Sequence, residues 1–170
     1  MHRGTQRVAD LLRAAGVAGE VREFGDSTRT AAHAAAALGC PVGAIANSLI
    51  FVADGVPVLI FASGAHRVDT ALVAGDRGWA ELRRADPDEV RAATGQPIGG
   101  VAPIGHPTKL DALIDTALRG FGTIWASAGT PHSVFATTFA ELARIADAKE
   151  VVVSTAADPP ELAQPAAPPR

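Results

Sequence analysis

The segment Gly99-Gly100-Val101-Ala102-Pro103-Ile104-Gly105-His106 is the densest run of glycine in the chain. Glycine lets a backbone approach a ligand closely and aim N–H groups at developing negative charge, as an oxyanion requires. The same residues would make a tight turn between strands, and the spacing Gly99-x-x-x-Pro103 leaves both uses open. No Gly-Lys-Ser/Thr follows, so the segment is not a phosphate-binding P-loop. The glycine spacing and Pro103 exclude a dinucleotide fingerprint. Asn47-Ser48 is a polar pair opening an otherwise apolar run, suited either to satisfying nearby backbone groups or to lining a site. Ser127-Ala128-Gly129 follows an apolar run that ends a strand, which would expose Ser127 at a sheet end. It lacks the Gly-x-Ser-x-Gly elbow of a serine nucleophile.

The histidines are His2, His33, His66, His106 and His132. None has the His-Glu-x-x-His or Cys/His spacing of a metal centre. His66, His106 and His132 would have to converge in space to bind one, and loop histidines more often cap turns or line grooves. No metal and no cofactor is expected. Arg67 and Asp69 read as a local ion pair. The lone Cys40 excludes an internal disulfide and a cysteine cluster, and reads as a small buried hydrophobe. No nucleophile–base pair stands out.

Elements that would position these residues follow from periodicity. Thr5 to Ala15 predicts an amphipathic helix stopped by Gly16, and Glu20 to Phe24 a short strand. A second helix, capped by Ser27 or Thr28, runs to Leu38 and closes at Gly39 and Pro41. Its apolar face carries Ala31, Ala35 and Leu38, with His33 opposite. Ile45 to Ala53 and Val56 to Ala62 are apolar runs joined by Asp54-Gly55, a strong hairpin signal. Asp69 to Val73 predicts a short helix and Glu81 to Arg84 a brief strand. Asp86-Pro87-Asp88-Glu89 is a capping box with Pro at the first helical position, opening a helix that stops at Gly95. Leu110 to Ile114 and Gly122 to Ser127 read as strands with a helical turn near Leu118 between them. No element is assigned between Gly129 and Thr138. Thr138-x-x-Glu141 is a second capping box for a helix to Ala146, and Lys149 to Ser154 a final strand. Short helices among hairpin-joined strands predict a mixed α/β domain with a central, largely antiparallel sheet. It is expected to span residues 1–154, with residues 155–170 an Ala/Pro-rich flexible tail.

The chain has 170 residues, of which 48% are hydrophobic, enough for one domain with a real core. Its net charge of −3 provides no global basic field for nucleic acid, although a local patch would serve a protein gripping only an RNA end. Lys109 and Lys149 are the only lysines, and with no tyrosine the stacking platforms are Trp79, Trp125 and some phenylalanines. The first twelve residues hold no apolar stretch of signal-peptide length, and no run reaches a membrane span. The expected compartment is the cytoplasm.

Four segments, in order, resemble the YbaK, EbsC and prolyl-tRNA editing family: Thr30 to Gly39 (TAAHAAAALG), Ala46 to Phe51 (ANSLIF), Gly99 to His106 (GGVAPIGH) and Ser127 to Gly129. The similarity runs from about Ala9 to Val153. It implies a mixed α/β fold with a partly closed central sheet flanked by helices. The implied activity is a trans-editing hydrolase that removes a mis-attached small amino acid from a proline-type tRNA. The implied partners are the aminoacyl-tRNA acceptor end and a synthetase. Carried over by position, Asn47, Gly99 and Gly100 would stand at the reacting ester. Ser48, Pro103, His106, Ser127 and Gly129 would surround the substrate, with His132 nearby at a position where members vary. Water would attack the ester carbonyl, loop amides would hold the oxyanion, and a ribose hydroxyl of the tRNA would assist.

One departure matters. Members carry a lysine where this chain has Asn47, and an amide supplies no positive charge. Lys109 and Arg67 are candidates to restore it. The alternative is an inactive or weakened binding module that recognises an RNA end, a nucleotide or a synthetase. A third reading is a small-molecule binder.

Overall fold

Asp54 and Gly55 turn the chain back on itself with φ of 46° and 83°, the doubly positive geometry that suits a twisted hairpin. The Asp54 carboxylate also accepts the N–H groups of Ala80 (3.2 Å) and Glu81 (2.8 Å), tying a later strand to the same corner. The computed structural model describes residues 1–25 and 30–155. The expected cap at Ser27 or Thr28 and nearly all of the expected tail lie outside the described residues.

The helices are α1 (Arg3–Ala14), α2 (Ala31–Leu38), α3 (Thr70–Arg77), α4 (Pro87–Thr94) and α5 (Phe139–Ala146). The strands are β1 (Val21–Glu23), β2 (Ile45–Ala53), β3 (Val56–Ser63), β4 (Leu82–Arg84), β5 (Asp111–Asp115), β6 (Ile124–Ser127), β7 (Ser133–Thr137) and β8 (Ala148–Val151). Helix starts follow side-chain chemistry. Thr30, Asp69, Asp86 and Thr138 each accept a main-chain N–H of the first turn, and Asp86 with Glu89 forms the complete capping box. At α2 the cap is therefore Thr30. Asp69 is used as a cap rather than as the ion-pair partner of Arg67.

All eight strands form one sheet in the order β1-β7-β6-β2-β3-β5-β8, with β4 joined to β2. Four pairings are antiparallel and three parallel, so the sheet is mixed, as expected. The element without a sequence assignment is β7. It pairs with both β1 and β6, and Val134 and Phe135 are buried on opposite faces, so no polar alternation marks it.

Alternate residues of β2 face the two sides of the sheet. Ala46, Ile50 and Val52 join Val8, Leu12, Val90 and Leu142, which places α1, α4 and α5 on one face. Phe51 and Ala53 pack with Val73 and Ala74 of α3, and Ile45 with Ala34 and Ala35 of α2, on the other. The result is a helix–sheet–helix sandwich. Among the described residues no helix is long and apolar enough to cross a membrane.

Candidate active site

One edge of β2 is shared by two strands that never meet. At its start, Ile45 and Ala46 run beside Trp125 and Ala126 of β6; at its end, Phe51 to Ala53 run beside β4. Ile45 accepts the Gly64 N–H on the β3 side and Ile50 accepts the Ala85 N–H on the β4 side. Main-chain groups of even-numbered residues therefore face the divided edge. Ser48 lies midway, so its N–H and C=O open into the gap between β6 and β4.

A cleft of about 640 Å³ occupies this gap, and it draws side chains from both faces of the sheet. Asn47, Leu49 and Trp125 line it with Thr30, Ala31 and Ala34 of α2; Ser48, Ile50 and Val90 line it with Gly99 and Val101 of the glycine segment. The Ser127 side and the turn Pro131 to Val134 complete the wall. Ala31, Ala34, Ala46 and Gly99 are the small members of a wall otherwise made of larger side chains. The Ser48 hydroxyl is buried and has no hydrogen-bond partner among the described residues. Such a group costs about 1–3 kcal/mol when left unpaired.

The glycine segment is built from within. Gly99 has φ of 82°, and a Cβ on Gly100 would stand 2.7 Å from the Thr130 carbonyl carbon, so two backbones touch there. The Gly100 N–H donates to Pro97 O at 2.9 Å and the Ala102 N–H to Gln96 Oε1 at 2.8 Å. The amides of Gly99 and Val101 donate to no acceptor among the described residues. Opposite, buried Thr5, Thr130 and Ser133 form a hydroxyl cluster, with Thr130 and Ser133 2.8 Å apart and Thr5 donating to Ser133 at 3.1 Å. It pins α1 to the turn that carries Pro131 and His132.

Of the residues singled out in the sequence, Asn47, Ser48, Gly99, Ser127 and His132 meet at this cleft, with Gly100 packed directly behind. Pro103 and His106 do not: they line a separate cavity of about 250 Å³ together with Lys109. The His106 ring bonds the Ala102 carbonyl oxygen at 2.8 Å, and burial pushes its pKa down. Gly129, with φ of 102°, sits under α1, where a Cβ would lie 2.7 Å from Val8. The three loop histidines part company, since His66 Nδ1 lies 2.7 Å from buried Asp115.

Neither candidate to replace the missing lysine reaches Asn47. Lys109 Nζ is held at 2.7 Å by Asp147, and the exposed Arg67 is not part of the cleft wall. The cleft wall does carry one arginine that sequence reasoning passed over, Arg84. It pairs with Phe51 across β2 and β4, and its guanidinium lies 5.4 Å from the Phe51 ring centre. Its neighbour Arg83 is engaged by Glu89 in a fork of 2.8 and 2.9 Å, which holds the Glu89 pKa down at about 2. The brief strand Leu82-Arg83-Arg84 beside the hairpin was the available signal, but only strand pairing shows which arginine faces the gap.

A family model described as aminoacyl-tRNA editing domain matches residues 26–145. The crystal structure of a proposed trans-editing enzyme for prolyl-tRNA synthetase superposes with a TM-score of 0.86 at 38% identity, covering 92% of this chain and 99% of that one. The uncharacterised protein YwhH of Bacillus subtilis is 33% identical over 131 residues, 76% of this chain and 83% of its own length. A proline–tRNA ligase of Nitratidesulfovibrio vulgaris is 33% identical over 91 residues, which amount to 54% of this chain but 16% of the ligase.

Proposed function

For this chain, which belongs to the aminoacyl-tRNA editing domain family, we propose a trans-acting hydrolase that cleaves a mis-attached small amino acid from a proline-type tRNA. The observation that carries the reading is the cleft at the divided edge of β2. There the Ser48 hydroxyl, buried and without a partner among the described residues, and the Asn47 amide share a cleft with the Gly99 amide, which has no acceptor among the described residues.

In this reading the aminoacyl ester enters between β6 and β4. Ser48 and Asn47 hydrogen-bond the amino-acid end, and Ala31, Ala34 and Ala46 limit the size of its side chain. Size exclusion of this kind is the stronger filter, since each methylene accommodated adds only about 1–3 kcal/mol. A water oxygen adds to the ester carbonyl carbon, and the Gly99 N–H is the donor assigned to the resulting oxyanion. Collapse of the tetrahedral species breaks the bond to the ribose oxygen, which takes the proton released by the water. The products are a free amino acid and a tRNA with its terminal hydroxyl restored. The neighbouring ribose hydroxyl relays that proton, so no protein nucleophile is required. Arg84 holds the terminal phosphate of the substrate, while the position of Asn47 itself is left without a charge.

The experiment is deacylation of a panel of mischarged tRNAs by the purified chain, comparing wild type with Arg84→Gln. The expected result is release of a small amino acid from proline tRNA, falling about 10- to 100-fold in the variant through loss of a charge-assisted contact. Tight tRNA binding with no release from any member of the panel would reject hydrolysis and leave a recognition module.

A further inference from the structure

A second cavity, also of about 640 Å³, opens beside the cleft and shares Pro131 and His132 with it. Its walls are the first turns of α1, the end of α4 and the turn after β6, and they bring together Arg3, Arg7 and Arg91. No Asp or Glu lines it. Arginines elsewhere are largely matched: Arg13 with Asp10, Arg22 with Glu20, Arg77 with Asp76, Arg83 with Glu89 and Arg119 with Glu150. Arg3, Arg7 and Arg91 carry no carboxylate partner among the described residues, and one nitrogen of Arg7 donates to the Gly105 carbonyl at 3.1 Å. In a chain of net charge −3, three unmatched guanidinium groups around one cavity form a local positive field with its own focus.

We propose that this cavity is a subsite for the phosphodiester backbone of an RNA strand whose end lies in the cleft. Three features choose a chain of phosphates over a single anion. The cations are spread over two helices, with Arg3 and Arg7 one turn apart on the same face of α1. The cavity is far larger than one phosphate. It also runs into the cleft at His132, so a strand held here delivers its terminus to Ser48 and Gly99. Guanidinium groups pair with phosphate oxygens through forked hydrogen bonds, which suits arginine better than lysine for this task. The inference deepens the editing proposal, but its binding half stands apart from any hydrolysis.

The test titrates fluorescently labelled, deacylated tRNA with the full chain at several salt concentrations. Each phosphate contact contributes about 0.7–0.9 to the slope of log affinity against log salt. Replacing all three arginines by glutamine is expected to lower the magnitude of that slope by about two to three, while replacing all three by lysine retains it. Should the triple variant fail to fold by circular dichroism, Arg3→Gln and Arg91→Gln are read singly, each expected to remove about one unit. A slope unchanged by these substitutions overturns the subsite, as does equal competition for the cavity by inorganic phosphate at the same charge concentration. Because the tRNA is deacylated, the outcome is independent of turnover. A wild type that hydrolyses mischarged tRNA with a slope indifferent to the arginines sinks the subsite alone. One that binds through them yet releases nothing sinks the editing reaction alone.

Discussion

Position 47 lacks the charge that its polar neighbourhood could use. An amide can donate and accept but cannot stabilise a negative charge as an ammonium does. Asn47→Lys restores that charge inside a cleft whose nearest cation is Arg84. A charge-assisted contact of about 1.5–3 kcal/mol corresponds to a rise in turnover of about 10- to 150-fold. Single-turnover deacylation measures it, and an unchanged rate with unchanged binding would show that the side chain does not meet the substrate. Ser48 gives a test with two opposed readouts. Because its hydroxyl is buried without a partner, Ser48→Ala should raise the stability of the unliganded protein by about 1–3 kcal/mol in urea denaturation. The same variant should lose substrate affinity. A fall in stability would mean that the hydroxyl is satisfied in the free protein. Asn47 and Ser48 were legible in the sequence as a polar interruption of an apolar run. Arg84 was not, because an arginine in a short exposed strand looks like any solvated residue until its strand is paired.

At the scale of elements, the glycine segment is held by its neighbours rather than by its own flexibility. The Gln96 amide reaches back to Ala102, and Gly100 lies against the main chain of Thr130 and Pro131. Gly100→Ala would put a Cβ 2.7 Å from backbone that cannot yield. The expected cost is about 1–3 kcal/mol of stability, together with loss of turnover as the segment shifts from the cleft. A Gly100→Ala protein with native melting temperature and native activity would show that the segment moves without consequence. The caps at Asp86 and Thr138, the Asp54-Gly55 hairpin and the Asp86/Glu89 capping box were readable because each depends on residues within four positions. The expected box at Thr138 stays half-formed, since the Glu141 carboxylate accepts from Thr137 Oγ1 instead. Strand β7 was not, since it is buried on both faces and takes its identity from β1 and β6.

Across the whole molecule, the separation of His106 from the cleft has a consequence for pH. Burial, with Arg7 nearby, holds His106 below the ordinary histidine range. The folded protein therefore binds fewer protons at this site than the unfolded chain. The associated stability is complete above the unfolded value of about 6.5 and is lost as pH falls through the lower folded value. Denaturation from pH 8 to pH 5 should show this decline in the wild type and a shallower one in His106→Gln. Identical profiles would place the ring in water. Turnover at the cleft should not follow the same titration, because His106 lines a different cavity.

Local chemistry in the sequence determined most helices and strands, the mixed sheet and the pair at Asn47 and Ser48, because caps, turns and apolar periodicity act over a few residues. Tertiary structure alone decided which of the candidate residues share a space. The division of one β2 edge between β6 and β4 depends on pairings between residues some 30 to 80 positions apart. That division opens the cleft, turns Arg84 toward it, and sends Pro103, His106 and Lys109 elsewhere, and no spacing along the chain encodes it.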